Sequence, residues 1–273
     1  MGGTVLVSGG AGYIGSHTCR HLLAAGYELV AIDNFYSGHR WAVPQQARLV
    51  EGDVGDYAMV SDILRRHQID AVIHFAGHVV VPESVREPLK YYRNNTVASN
   101  RLLQACIDTG VEKFIFSSTA AVYGIPAALP VREDARLQPI NPYGTSKLMT
   151  EWMLRDLAAS GARFRYIALR YFNVAGARLD GTLGQATPNA THLIKVACEA
   201  ACGIRDGVTI YGTDYPTADG TCIRDYIHVD DLASAHVAAL DYLRHNNDSQ
   251  ILNCGYGEGF SVRQILDTVK QVS

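Results

Sequence analysis

A glycine-rich turn between a predicted strand and a predicted helix constrains the fold most. The apolar residues 4–8 lead directly into the turn, and a helical pattern follows it as far as Gly26. Gly9 permits a tight turn, Gly12 lets a pyrophosphate approach the backbone, and Gly15 lets the helix pack closely on the strand. The free N–H groups and the dipole of the helix start attract phosphate. The sequence therefore predicts a dinucleotide-binding unit at its beginning.

A carboxylate at the end of the second predicted strand indicates which dinucleotide is bound. That strand covers residues 28–33, and Asp33 stands 24 positions after Gly9. An Asp at this place accepts hydrogen bonds from the adenosine ribose hydroxyls and repels a 2′-phosphate, so it favours NAD over NADP. Two alternatives stay open. Asp33 could instead cap its own loop together with Asn34, and Arg40 is near enough to receive a 2′-phosphate.

Alternating strands and helices predict the fold class as α/β, a doubly wound parallel sheet of the Rossmann type. Small or hydroxyl side chains follow the ends of two of these strands, where such sheets bind ligands. Asp53 either meets the adenine or caps the next helix, and His74 is expected to be a core histidine. Further strands are predicted at residues 49–53, 70–75, 113–119 and 165–170, and helices at 59–66, 85–93, 95–107 and from 142 past 157.

The pattern becomes less regular after residue 172. We predict a cofactor-binding domain over residues 1–172 and a smaller α/β substrate lobe over residues 173–273, parts of which return to the main domain. The lobe is expected to contain loops at 178–189 and 212–221, helices at 191–202, 230–244 and 262–272, and strands at 208–211, 224–229 and 251–253.

Tyr143 and Lys147 lie four residues apart on a predicted helix and therefore share one face. A free tyrosine, with a pKa of about 10, is a poor base at neutral pH. A fixed ammonium nearby, helped by a second positive group such as an oxidised nicotinamide, can draw that pKa down. The pair is therefore a candidate catalytic base and its activating cation. The alternative is a half-exposed tyrosine beside a surface lysine.

Composition narrows the function classes. A net charge of -3 gives no electrostatic case for nucleic acid or an anionic membrane as a partner. No apolar run is long enough to cross a bilayer, and no export signal precedes the first strand, so we expect a cytoplasmic protein. The six cysteines are scattered through apolar segments and are expected to be reduced core thiols. Cys198 and Cys202 could share a helix face, but no second pair stands at zinc-like spacing, so no metal site is predicted.

These motifs together resemble the sugar-nucleotide 4-epimerases of the extended short-chain dehydrogenase/reductase family. The resemblance covers nearly the whole chain, and residues 211–229 resemble these epimerases more than their relatives. It implies that a tightly held NAD transiently oxidises C4 of a UDP-hexose and so interconverts UDP-glucose and UDP-galactose. The implied cofactor-binding residues are Gly9, Gly12, Tyr13, Ile14, Gly15, Asp33, Asn34, Asp53, Val54, Phe75, Ala76, Gly77, Asn94, Ser117, Tyr143, Lys147 and Tyr171.

The same resemblance implies roles at the sugar. Tyr143 would take the proton of the 4-hydroxyl, Lys147 would bind the nicotinamide ribose and depress the Tyr143 pKa, and Thr119 would relay the proton. The implied substrate-binding residues are Thr119, Tyr143, Asn173 at a phosphate or the sugar, His192, Leu193, Tyr211 near the uracil and Arg224 at the diphosphate. Asn173 as a turn residue and Arg224 in a surface ion pair remain alternatives.

Three departures from the family pattern accompany this hypothesis. Val79 replaces a lysine found near the nicotinamide in some members, Lys195 stands where proline is common, and the sequence ends at Ser273, before the usual uridine-binding segment. A catalytically incomplete NAD-binding remnant is therefore one alternative. A sugar-nucleotide 4,6-dehydratase is another, although Ala120 and Ala121 stand where it needs acidic groups. The resemblance also implies a homodimer, with the helices at 85–93 and 95–107 as candidate contacts.

Overall fold

A seven-stranded parallel sheet forms the centre of the computed structural model, which describes residues 2–188 and 190–273. The strand order is β3-β2-β1-β4-β5-β6-β9, so the order reverses between β1 and β4. Ligands of such sheets bind at this reversal, beyond the carboxyl ends of the strands. The strands are β1 Thr4–Ser8, β2 Glu28–Asp33, β3 Arg48–Glu51, β4 Ile69–His74, β5 Lys113–Ser117, β6 Arg165–Tyr171 and β9 Gln250–Cys254.

Helices cover both faces of this sheet, which is why its central strands are continuously apolar. Asp56 caps α2 by accepting from the Met59 N–H at 3.0 Å, and Asn141 caps α6 by accepting from Gly144 at 2.9 Å. At the last helix, Ser261 and Gln264 form a capping box. The helices are α1 Tyr13–Ala24, α2 Tyr57–Arg66, α3 Val81–Arg86, α4 Pro88–Tyr91, α5 Ala98–Thr109, α6 Pro142–Ala159, α7 Leu193–Ala201, α8 Val229–His245 and α9 Val262–Val272.

A second sheet of three strands lies beside the carboxyl ends of the large one. Its order is β10-β8-β7, with β7 Asn173–Ala175 parallel to β8 Ile223–His228, and β10 Gly259–Ser261 antiparallel to β8. Because β9 pairs with β6, the chain passes from this small sheet back into the large one. The doubly wound fold is thus confirmed, while the domain boundary at residue 172 stays a prediction.

The predicted helices at 85–93 and 95–107 are wrong in their bounds. Pro88 begins a separate short helix, α4, and α4 continues through a π-helical turn, Tyr92–Val97, directly into α5. The gap between these two predicted helices falls at the polar residues Asn94 and Asn95. Their side chains accept from the His78 N–H at 3.0 and 2.8 Å, so the polar pair is used without ending the helix.

Two other expectations also fail. Residues 208–211 form no strand, because they do not pair with the small sheet, which is built from β10, β8 and β7 among the described residues. Cys198 and Cys202 are exposed rather than core, since α7 turns them away from the interior, whereas Cys19 and Cys106 are buried. Met1, and Asn189 at the end of the predicted loop 178–189, lie outside the described residues.

Candidate active site

One large cavity of about 1410 Å³ opens at the carboxyl ends of the parallel strands, between the two sheets. A single small-molecule pocket usually measures roughly 300–1,000 Å³. The cavity therefore has room for a dinucleotide and a second ligand. All the predicted cofactor-binding residues line it, and so do Thr119, Asn173, His192, Leu193 and Arg224.

The glycine turn fits a dinucleotide at one end of this cavity. Gly9 has a φ of +71°, and a Cβ there would stand 2.7 Å from the Ala76 backbone nitrogen. A Cβ on Gly15 would lie 2.2 Å from the Gly9 carbonyl oxygen. These two glycines are thus required by the packing of the turn. A Cβ on Gly12 would meet only the Gly9 oxygen, at 3.2 Å, so the backbone of Gly12 is open towards the cavity, as approach by a pyrophosphate requires.

The Asp33 carboxylate is held rigidly at the end of β2. It accepts from the Ala11 N–H at 3.0 Å and from the Phe35 N–H at 2.8 Å, and burial raises its pKa. It therefore fixes the glycine turn and also lines the cavity, so the capping role and the ribose-binding role are compatible. Arg40 is paired with Glu51 and lies over the Phe35 ring at 4.3 Å. These two contacts engage the guanidinium group that could otherwise have bound a 2′-phosphate.

We expect Asp33→Ala to weaken NAD binding and to relax the rejection of NADP. The lost carboxylate removes both the acceptor for ribose hydroxyls and the negative charge that repels a 2′-phosphate. Titration of the purified protein with each dinucleotide measures the ratio of the two dissociation constants. Asp62→Ala, which removes an exposed acid of α2 that does not line the cavity, is the control. An unchanged ratio in Asp33→Ala would show that this carboxylate serves only the turns.

Asp53 and Asn34 lie together on the wall of the cavity beyond β2 and β3. Asp53 accepts from the Gly55 N–H at 2.7 Å, and Asn34 Nδ2 donates to Asp53 at 3.4 Å. The alternative in which Asp53 caps the following helix is wrong, because Asp56 caps α2. His74 is a core histidine, as predicted: it is buried and bonds to Ser8 at 2.6 Å and to Ser99 at 2.8 Å.

The side chains of Tyr143 and Thr119 lie beside each other at the cavity. Tyr143 is at the start of α6, and Thr119 follows β5. Both are nearly buried. Burial raises the pKa of Tyr143, and a hydrogen bond with the Thr119 hydroxyl opposes this shift. The sequence predicted a pKa lowered by Lys147. In the protein alone the direction is the opposite, because burial disfavours the phenolate and the Lys147 ammonium donates to the Ser117 carbonyl at 2.9 Å. The phenol is thus protonated at neutral pH and poised beside a second hydroxyl.

Lys147 is a buried cation in contact with the same strand end. Its ammonium lies 5.0 Å from the centre of the Phe116 ring, and a Cβ added to Gly77 would approach it to 3.7 Å. Gly77 therefore keeps the space beside the ammonium open to the cavity. Burial lowers the pKa of Lys147 to about 8.

This shift predicts a pH-dependent stability. Between about pH 8 and about pH 10 the unfolded chain holds the Lys147 proton more firmly than the native protein, so this group makes the free energy of unfolding rise with pH. Lys147→Met removes that slope. We expect its stability relative to the parent protein to fall by about 3 kcal/mol across the window. Urea unfolding of both proteins at the two ends measures the difference, and parallel pH profiles would contradict the assignment.

The three hydroxyls that end β5 do not share one environment. Ser117 hydrogen bonds with the Tyr171 hydroxyl and lines the cavity, as does Thr119. Ser118 instead points into the core and donates to Glu151 Oε1 at 2.5 Å. The expectation that hydroxyl side chains at this strand end lie where ligands bind is therefore wrong for Ser118, because successive residues of an extended segment alternate in direction.

Glu151 stands one turn after Lys147 on α6 and forms a buried ion pair with Arg170 of β6. Arg170 Nη2 donates to Glu151 Oε2 at 2.6 Å and its Nε to Oε1 at 3.0 Å, and both side chains are 2% exposed. Arg170 Nη1 also donates to the Tyr123 hydroxyl at 2.9 Å. The pair thus braces α6, the end of β5 and β6 directly beneath Tyr143 and Thr119.

The small sheet contributes polar groups to the other end of the cavity. Asn173 begins β7 and donates from Nδ2 to the Asp225 carbonyl at 3.0 Å, so it both fixes the sheet and lines the cavity. Arg224 is exposed on β8 and donates from Nη1 to the Ile223 carbonyl. His192 immediately precedes α7 and hydrogen bonds with Gln185 at 2.9 Å, and Leu193 begins the helix. Lys195 does not disturb that helix, since it pairs with Glu199 at 3.0 Å.

Tyr211 is the one predicted site residue that the structure does not bring to the cavity. It is 87% exposed, because the predicted strand at 208–211 does not form. Tyr215 lines the cavity instead. No group of three or more His, Cys, Asp or Glu side chains arranged to hold a metal ion occurs within residues 2–188 and 190–273.

A family model described as the NAD dependent epimerase/dehydratase family matches residues 5–255. The chain belongs to this family. The match begins at β1 and ends just after β9, so it includes every strand of the large sheet.

Individual members of the NAD dependent epimerase/dehydratase family are similar over almost the whole chain. The UDP-glucose 4-epimerase of Azospirillum brasilense is 59% identical over 269 residues, which are 98% of this chain and 77% of the relative. That of Lacticaseibacillus casei is 47% identical over 99% of this chain and 81% of the relative. UDP-glucose 4-epimerase from Brucella ovis, solved in complex with NAD, superposes with a TM-score of 0.96 at 48% identity, over 98% of this chain and 82% of that one.

The sequence did not indicate several residues that line or support the cavity of the present protein. Tyr36, His78 and Tyr123 line it, and Glu151 and Arg170 support it from below. Arg170 gave a usable signal, because a charged residue within an apolar strand requires a buried partner. Glu151 lies on the Lys147 face of α6, four residues further on, and is that partner. Tyr36 and His78 gave no signal, since only the folded loops bring them together.

Proposed function

We propose that the protein is an NAD-dependent epimerase that interconverts UDP-glucose and UDP-galactose by transient oxidation at C4 of the sugar. The observation that carries the proposal is the placement of Thr119, Tyr143 and Lys147 in one cavity with the glycine turn. The named relatives are all UDP-glucose 4-epimerases, which favours this activity over a dehydratase. Ala120 and Ala121 line the cavity where a dehydratase would need acidic groups.

Tyr143, Thr119 and Lys147 have separate roles in the reaction at C4. When bound, NAD supplies a reversible two-electron oxidant for C4 and the positive charge of its oxidised nicotinamide. Tyr143 takes the proton of the 4-hydroxyl in its phenolate form, which Lys147 and the positive charge of the oxidised nicotinamide would favour, and the Thr119 hydroxyl bonds the same oxygen and relays that proton. In the return step Tyr143 gives the proton back. Lys147, directed by the Ser117 carbonyl, binds the nicotinamide ribose and keeps a positive charge near the phenol.

The remaining residues hold the substrate and cofactor in place. Asn173, His192 and Leu193 contact the sugar and phosphates, and Arg224 binds the diphosphate as a fork of N–H donors. Asp33 and Asp53 hold the adenosine. We extend the proposal to a cytoplasmic homodimer, because α6 exposes Trp152 and Met149 and because two buried cysteines are free thiols. No helix within the described residues is long and apolar enough to cross a membrane.

The direct test is incubation of the purified protein with UDP-galactose and no added cofactor. The proposal predicts formation of UDP-glucose by NAD that the protein already carries. A protein that carries NAD but forms no UDP-glucose would reduce the chain to a cofactor-binding module. Formation of a 4-keto-6-deoxy sugar would identify a dehydratase instead.

A further inference from the structure

Two loops on either side of the glycine turn are joined directly to each other. One loop follows β2 and carries Tyr36, and the other follows β4 and carries His78. In the large sheet, β2 and β4 are the two neighbours of β1. A link between loops that flank β1 must cross the carboxyl end of β1, where the glycine turn stands. Any ligand lying on that turn therefore has this link above it.

The link is made of side chains with defined contacts. The Tyr36 ring packs on the His78 ring with 4.5 Å between centroids. Lys90 Nζ donates to the Tyr36 hydroxyl at 3.1 Å and to Glu83 Oε1 at 2.5 Å. Tyr91 supports the far side, since its ring is 5.6 Å from that of His78 and its hydroxyl donates to Glu83 Oε2 at 2.8 Å.

The His78 side of the link is anchored on the helix that follows it, whereas the Tyr36 ring is exposed. The His78 N–H donates to both Asn94 and Asn95, within the π-helical turn. Tyr36, by contrast, is 61% exposed and contributes nothing to the buried clusters of the sheet. The Tyr36 ring lines the cavity, and its contacts are with Lys90 and His78 on the other side of the turn. Packing in the core therefore does not explain its position.

We propose that Tyr36, His78 and Lys90 form a clasp that retains NAD on the glycine turn. The clasp adds cofactor-binding residues to those predicted from the sequence, with Tyr36 as its movable part. It rests on the proposed function in one respect: an epimerase returns its cofactor to the starting redox state in every turnover and gains from never releasing it. Release of NAD requires the Tyr36–Lys90 hydrogen bond and the Tyr36–His78 stack to open.

The test measures how fast bound NAD leaves. Protein carrying isotopically labelled NAD is mixed with excess unlabelled NAD, and the label that remains bound is followed by mass spectrometry. Loss of one ring contact and one hydrogen bond in Tyr36→Ala should raise the dissociation rate roughly tenfold or more. Tyr36→Phe, which loses only the hydrogen bond, should raise it less, about threefold. Lys90→Met loses the same bond together with the Glu83 contact and should raise it at least as much.

Tyr242→Ala is the matched control. Tyr242 is a partly exposed tyrosine of α8 that lies away from the cavity and donates a hydrogen bond to Asp248. Its NAD release, and the melting temperatures of all the variants, should match those of the parent. An unchanged release rate in Tyr36→Ala, or an equal rise in Tyr242→Ala, would overturn the clasp alone. A parent protein that carries no NAD would overturn the proposed function as well.

Discussion

Tyr143→Phe should abolish epimerisation while leaving NAD in place. The substitution removes the only group that accepts the 4-hydroxyl proton in the proposed mechanism, and a positioned acid–base group contributes roughly 10²–10⁴-fold to a rate. We therefore expect kcat to fall by about 10³-fold, with KM for UDP-galactose little changed. A coupled assay of UDP-glucose formation measures both constants.

Tyr166→Phe provides the control for this experiment. Tyr166 is also a buried tyrosine, but it belongs to the core cluster on the other side of β6 and does not line the cavity. Its loss should leave kcat close to that of the parent. If Tyr143→Phe turned over UDP-galactose as fast as Tyr166→Phe does, the phenol would not be the base, and the catalytic assignment would have to be abandoned.

Glu151→Leu should destabilise the fold more than any surface charge replacement. The substitution leaves Arg170 buried without its carboxylate, and breaking one half of a buried ion pair costs about 3–5 kcal/mol. It also removes the acceptor of the Ser118 hydroxyl. Urea unfolding of the substituted protein measures the change in the free energy of unfolding.

Two further variants separate the ion pair from other effects. Arg163→Ala breaks an exposed pair with Glu112, where the loss should be at most about 1 kcal/mol. The double variant Glu151→Leu/Arg170→Met removes both buried charges and should recover much of the stability lost in Glu151→Leu. Equal stability of Glu151→Leu and Arg163→Ala would show that the buried pair does not brace the site.

The sequence predicted the fold where hydrophobic pattern and turn chemistry agree. β2 and α9 have the predicted bounds, because an apolar run ending in Asp33 and a capping box at Ser261 define them locally. The bounds of the helices in segment 85–107 were predicted poorly, since Asn94 and Asn95 serve a tertiary contact rather than a helix end. Their partner is the His78 backbone, 16 and 17 residues away, which no local pattern reveals.

The site was predictable to the extent that its residues follow strand ends. Such residues converge on one cavity whatever the details of the loops, which is why Thr119 and the predicted cofactor-binding residues at strand ends line it. Tyr211 was misplaced because its position depended on a strand that did not form. The Tyr143 pKa of the protein alone is raised rather than lowered, because the phenol is buried, and helix spacing does not reveal that burial.

The central claim is that C4 is oxidised and reduced inside one closed site. UDP-galactose carrying deuterium at C4 tests it most directly, with the product examined by mass spectrometry and NMR. The account predicts UDP-glucose that keeps the deuterium at C4, because the same hydrogen leaves and returns without meeting water. Product with deuterium replaced by solvent hydrogen would mean that C4 is deprotonated by a base, and would contradict the account.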